Sequence, residues 1–242
     1  MWSFIWHTFF FDPIYNGLVF FIDVVPGGDV GIAIILTTAV VKIFLLPLSI
    51  KVARMQRIMK ELDPKLKEIK EKHKDDREQL ARATMDIYRN ANINPFASIL
   101  LLFIQIPIVI ALYWAVSKGG GVQLPLINTD ILYGFIPTPE TVNMIFVGIV
   151  DMAGKSLPLA ILAGALQFVH AQMSMPKPEP RKEGAEPSLK DDFARSMQMQ
   201  MRYVMPIIIG FVAYTISAAI GLYFVVSSLA AITQEQLVKK HR

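Results

Sequence analysis

Apolar residues in this chain gather into five stretches, residues 30–50, 95–117, 157–175, 203–217 and 219–233. Several approach or exceed the roughly 18–20 residues that an α-helix needs to cross a bilayer. The last two form one continuous run, too long for one crossing and short for two. Ser217-Ala218-Ala219, with Gly221 just beyond, is its only weak point, and the split is placed there. The pattern predicts an all-α membrane protein with five transmembrane helices.

Between these stretches the pattern changes. Residues 51–94 form the one large polar segment. Its apolar positions, Met55, Ile58, Met59, Leu62, Leu66 and Ile69, then Leu80, Ile87 and Tyr88, recur at helical spacing. Asp63-Pro64 reads as a cap followed by a first-turn proline. Residues 73–76 are the one plausible turn. The prediction is an antiparallel helical hairpin projecting into the cytoplasm, either a contact surface or a solvated charged spacer. Residues 1–29 are rich in Trp and Phe, and Asp12 and Pro13 divide them into short pieces. They lack the basic start and small-residue cleavage site of a signal peptide. A short amphipathic helix lying flat on the outer face is expected, with Pro26-Gly27-Gly28 turning the chain into the first span. Residues 118–156 make an outer loop. Gly119-Gly120-Gly121 begins it as a turn; no Lys-Ser/Thr follows, so it is not a phosphate loop. Residues 176–202 make an inner loop whose prolines, Pro176, Pro178, Pro180 and Pro187, mark a linker over 176–192. Residues 234–242 form a short basic tail.

Composition agrees with this class. The chain is 53% hydrophobic and 18% charged, below the roughly 25% of soluble domains. It has no cysteine, which excludes disulfides, thiol nucleophiles, Cys-ligated zinc and lipidated cysteine. Charge placement orients the chain. Residues 51–89 hold 12 of the 24 Lys and Arg, residues 177–202 hold 6, and the tail holds 3. The first thirty residues hold none. The positive-inside rule puts the N-terminus outside and both basic loops and the tail in the cytoplasm. An outside start and an inside end require an odd number of crossings, which supports the split at Ser217.

Lys42 lies near the middle of the first apolar stretch, where a charge costs about 2.5–3.5 kcal/mol on insertion scales. No Asp or Glu lies in any of the five stretches. Lys42 must snorkel, lose its proton, or face a watery cavity that an anion can enter. The spans also hold uncharged polar residues. Thr37, Thr38, Gln105, Gln167, Gln172, Ser217, Tyr223 and Ser227 are the candidate lining of such a cavity, with His170, Tyr214, Thr215, Ser228 and Thr233 elsewhere in the spans. Singly, such residues are usually glue between helices; together, and with one cation, they resemble a wet groove. There is no nucleotide-binding loop and no His-Glu-x-x-His, and the histidines are scattered. These absences argue against an ATPase, a metalloprotease and most ion-coupled transporters. No catalytic residue, metal site or cofactor is expected.

Taken in order, these segments resemble the YidC/Oxa family of membrane protein insertases over about residues 14–237. The stretch TTAVVKIFLLPLSIKVARMQRIMKELDPKLKEIKEKHKDDREQLARATMDIYRNANINPF matches the first core span, its Pro-Leu and the hairpin. NPFASILLLFIQIPIVIALYWAV, QFVHAQMSMP, MRYVMPIIIG and GLYFVVSSLAAITQEQ match the later spans. The resemblance implies five helices around a hydrophilic groove open to cytoplasm and lipid. It implies an insertase in the cell membrane that moves hydrophilic segments of nascent membrane proteins across the bilayer without covalent chemistry. Lys42 would be the groove charge, and the hairpin, through Met55, Met59, Leu62, Leu66 and Ile69, would capture substrate. Partners would be nascent membrane proteins and lipid, with a Sec-type translocon and a ribosome, the latter weakly held by the short tail; no sequence-specific nucleic-acid binding is expected. Lys42 stands where the family usually has arginine, keeping the charge but losing the bidentate fork. Ser217-Ala218-Ala219 stands where the family often has proline and glycine. The rival readings are a small-solute transporter or channel, whose internal duplication with broken helices at matching positions is not seen, and a scaffold subunit whose Lys42 binds a lipid phosphate.

Overall fold

The computed structural model describes residues 2–73, 76–91, 97–117, 121–174, 196 and 199–240. The helices are α1 (Trp2–Trp6), α2 (Asp12–Val24), α3 (Val30–Lys72), α4 (Arg77–Asn90), α5 (Ala97–Ser117), α6 (Leu157–Ser174), α7 (Met205–Ile216) and α8 (Ala218–Lys240). Two short strands, β1 (Ile145–Phe146) and β2 (Val150–Asp151), pair antiparallel within the segment expected to be a plain loop. Among the described residues, Val30–Met59, Leu157–Ser174 and Ala218–Leu237 are helices long and apolar enough to cross a membrane; Ile104–Ser117 and Gln200–Ile216 are shorter apolar helices. The expected turn at Gly119-Gly120, the linker over 176–192, Asn94-Pro95 and the last two residues lie outside the described residues.

Three expectations about helix ends are corrected. The cap expected at Asp63-Pro64 is absent: α3 runs for 43 residues, with Pro47 and Pro64 inside it. A proline forfeits its own intrahelical hydrogen bond. The good helix formers around it keep the rest. The first arm of the hairpin is therefore a direct extension of the first apolar stretch. The helix stops at His73, and α4 starts after Asp76, whose carboxylate caps the Glu78 and Gln79 amides at 3.0 Å. The tail is also not a separate element, because α8 continues to Lys240.

Nor do Asp12 and Pro13 break the N-terminal segment. A π-helical turn, His7–Phe11, joins α1 to α2, and a second, Gln200–Val204, leads into α7. In each, the residue before a proline (Asp12 before Pro13, Met205 before Pro206) donates its amide to a carbonyl five residues back. A proline ring collides with the carbonyl four residues before it. The wider turn moves that carbonyl aside and the helix continues.

The core forms where α2, α3, α5 and α8 meet. Ile14, Tyr15, Leu18, Val19 and Ile22 of α2 join Val30, Ala33 and Ile34 of α3, Ala111, Leu112 and Ala115 of α5, and Leu222 and Tyr223 of α8 in one buried cluster. The inner face of the N-terminal segment thus packs on protein, while Phe4, Phe9, Phe20 and Val24 stay exposed. The outer loop is pinned to this helix. Asn16 donates to Ile131 O at 2.9 Å and accepts from the Tyr133 amide at 2.7 Å. The Tyr15 hydroxyl accepts from the Asn128 amide at 2.9 Å. Burial raises the Tyr15 pKa above its ordinary value, and the Asn128 bond opposes the rise.

Small residues bring α6 and α7 together. A Cβ on Gly164 would lie 3.1 Å from Pro206 O, and one on Gly210 would lie 3.2 Å from Ala160 O. Such close backbone approach is how helices pack in lipid, where apolar contact with a neighbour brings no solvation gain. Gly164→Leu is expected to wedge the pair apart and destabilise the fold by about 1–3 kcal/mol, the usual cost of overpacking. Gly134→Ala, with nothing within 4 Å of its Cβ, is the neutral control. Thermal unfolding in detergent checks both; an unchanged midpoint for Gly164→Leu would show that this contact is not tight.

Candidate functional site

Helical geometry sets up the site. Residues four apart share a helix face, so Thr38 and Lys42 face the same way from α3, and Tyr223 and Ser227 face the same way from α8. Gln105 of α5 joins the two helices. Its amide oxygen accepts from Lys42 Nζ at 3.2 Å, and its amide nitrogen donates to Tyr223 OH and, at 3.4 Å, to Ser227 Oγ. The orientation follows from chemistry: an ammonium donates only, so it meets the carbonyl end of the amide, and the NH2 end meets hydroxyls that can accept.

Lys42 is half-buried. Gln105 is its hydrogen-bond acceptor among the described residues, and no carboxylate there lies within ion-pair distance. An ammonium has three donors, so donors remain for water or an arriving carboxylate. Thr38, one turn away, is buried with its hydroxyl unpartnered, whereas the Thr37 hydroxyl bonds back to Ala33 O at 2.8 Å. Tyr223 and Ser227 are buried. Among the described residues no group of His, Asp and Glu could hold a metal ion.

The structure does not bring all the expected lining residues to Lys42. Gln167 of α6 instead accepts from Ser228 Oγ at 3.1 Å, tying α6 to α8. Gln172 accepts from Arg202, with Nε at 2.7 Å, and its own Nε2 is buried and unpartnered. Ser217 is the extended residue between α7 and α8. It lies ten residues from Ser227, about 15 Å along the axis at 1.5 Å per residue. There it lines a separate cavity of about 600 Å³ with Trp114, Ser117 and Gln123.

The hairpin residues are also placed differently. Met55, Met59, Leu62, Leu66 and Ile69 are half-buried on α3, which packs against α4. Among the described residues of the hairpin, the exposed large apolar ones are Ile58 and Met85. Sequence reasoning missed Arg202, counting it among the charges of the inner loop. It is only 4% exposed. The available signal was its position directly before the apolar run that starts at Tyr203. It also missed the bond from Ser49 to Gln234, 2.7 Å, which ties α3 to α8.

The family described as 60Kd inner membrane protein matches residues 21–242 of this chain. The chain belongs to the 60Kd inner membrane protein family. Named relatives agree. A protein named membrane protein insertase YidC from Clostridium tetani is 30% identical over 215 residues, 89% of this chain and 84% of that relative. One of the same name from Oceanobacillus iheyensis is 30% identical over 241 residues, 98% of this chain and 84% of the relative. A third, from Shewanella pealeana, is 30% identical over 226 residues, but the chain spans 36% of its length. As a member of the 60Kd inner membrane protein family with several long apolar helices, this is an all-α, membrane-integral protein.

Proposed function

We propose that this chain is a membrane protein insertase. Five spans, α3, α5, α6, α7 and α8, enclose a polar groove open to the cytoplasm and lipid, and the N-terminus lies outside. The observation that carries the reading is the cation of Lys42, held by the neutral Gln105 amide and left without a carboxylate among the described residues. A charge kept at that cost within an apolar helix has a functional use as its default explanation.

Insertion on this reading needs no covalent step. An unpaired peptide group moved from water to an apolar medium costs roughly 2–7 kcal/mol. Lys42 and Gln105, both half-buried, offer hydrogen bonds partway across, and the buried Tyr223 and Ser227 hold Gln105 in place from behind, so a short hydrophilic segment keeps polar partners on the way. The ammonium attracts acidic residues of that segment. The apolar helix that follows then leaves over the exposed residues of α6, Ile161, Leu162, Phe168 and Val169, and Leu229 of α8. Nascent membrane proteins and lipid are the partners, with a ribosome and a Sec-type translocon as further ones.

Reconstitution in liposomes tests the function. Protein-containing vesicles are expected to insert a single-span substrate with an acidic translocated tail, read as protease protection of that tail, while empty vesicles do not. Solute flux without insertion would establish a transporter, and neither activity would establish a scaffold.

A further inference from the structure

The turn that joins β1 to β2 is built against local preference. The Ile149 amide donates to Phe146 O at 3.0 Å, closing a four-residue turn. Its central residues, Val147 and Gly148, have φ of 44° and 77°. Asn-Gly is the favoured pair where both central residues take positive φ, and a β-branched residue there is an outlier. Among the described residues Val147 is the one non-glycine with positive φ. Burial within the protein does not compensate, because Val147 is 56% exposed and Ile149 is 81% exposed. In water the strain and the exposed apolar surface are both unfavourable. Apolar surroundings remove the second cost and give the valine a purpose.

The hairpin is clamped to the start of a spanning helix. Asp29, the N-cap of α3, accepts from the Ile32 amide at 3.1 Å and from the Val147 amide at 2.7 Å. The Val30 amide donates to Asn143 O at 2.9 Å, and Phe146 packs on Gly31. The tip is therefore held beside the first turn of α3, which lies in the interfacial zone when α3 spans a bilayer. Residues 145–149 carry no charge to oppose contact with lipid. Leu157, which starts α6, is exposed as well.

We infer that Val147 and Ile149 at the tip of the β1–β2 hairpin insert into the lipid leaflet at the N-terminal end of α3. There they anchor that end of the helix to the membrane surface. The inference needs only that α3 spans the bilayer and is independent of insertase activity.

The chain has no cysteine, so a single one can be labelled cleanly. Ile149→Cys, and Glu140→Cys at an exposed position of the same loop, are each labelled with an environment-sensitive nitrobenzoxadiazole dye. Both are reconstituted in phosphatidylcholine–phosphatidylethanolamine vesicles. Emission from position 149 is expected to be blue-shifted relative to position 140. It should be quenched by lipids carrying a nitroxide high on the acyl chain, and several-fold less by aqueous iodide. Equal iodide quenching at both positions would overturn the anchor. So would a label shielded from both quenchers, which would mean that protein, a second copy or a partner, covers the tip. Val147→Asn, which suits the turn and removes the apolar tip, is expected to reduce nitroxide quenching at position 149; unchanged quenching would also overturn the role given to Val147.

Discussion

Lys42→Glu is expected to lower insertion of substrates with acidic translocated segments by at least about tenfold, equivalent to about 1.4 kcal/mol. Two unit charges about 4 Å apart interact by about 4 kcal/mol at the effective dielectric of a protein surface. Reversing the sign turns that attraction into repulsion, so the expected loss is a modest part of what is available. The fold should survive. Gln105 meets Lys42 with its oxygen and Tyr223 with its nitrogen, and a flipped amide serves a carboxylate at position 42 equally well. It would give its NH2 to the glutamate and its oxygen to the tyrosine hydroxyl, which can also donate. Lys42→Ala should lose less than Lys42→Glu, and Lys42→Arg should keep most activity because the charge remains. Protease protection in proteoliposomes measures all three. Normal insertion of acidic substrates by the glutamate variant would end the electrostatic account of the groove.

Removing residues 61–82 and bridging the gap with a short flexible linker is expected to cost insertion on the order of tenfold, about 1.4 kcal/mol, while leaving the bundle folded. Among the described residues, neither buried apolar cluster contains one from that segment. Membrane helices also satisfy their own backbone groups without help from a distant loop. The deletion removes the part of α3 that carries the first apolar stretch rigidly out of the bundle, together with part of its partner α4. The initial rate of protease protection and the thermal midpoint in detergent are read on the same sample. An unchanged midpoint with a normal rate would make the hairpin a spacer.

The hairpin also shows how far the pattern of residues reaches. Its turn near residues 73–76 was legible, because a polar segment returning to the membrane must reverse and few residues there permit it. The continuity of α3 through Pro64 was not. Whether a proline caps or merely interrupts hydrogen bonding depends on neighbouring packing as much as on its identity. The same holds for Pro13, where a π-helical turn replaced the expected break. The stripe Met55, Met59, Leu62, Leu66 and Ile69 was legible as one helix face. That the face lies half-buried on a helix packed against α4 is a tertiary fact.

The class of protein was readable from the chain, and so was the isolation of Lys42 within an apolar stretch, because a bilayer makes local chemistry decisive: each crossing needs a long apolar run, and each charge within one is costly. Pairings between helices were not readable. Lys42 meets Gln105 across 63 residues of sequence, Gln172 turns to Arg202, Gln167 to Ser228, and Ser217 lies apart from all of them. Hydropathy locates a helix but carries little information about its rotation or its neighbours. Those are set by the packing of whole faces, such as the approach of Gly164 to α7 and the docking of α2 on α3 and α5. A rotation of a fraction of a turn would send the same polar residues to different partners.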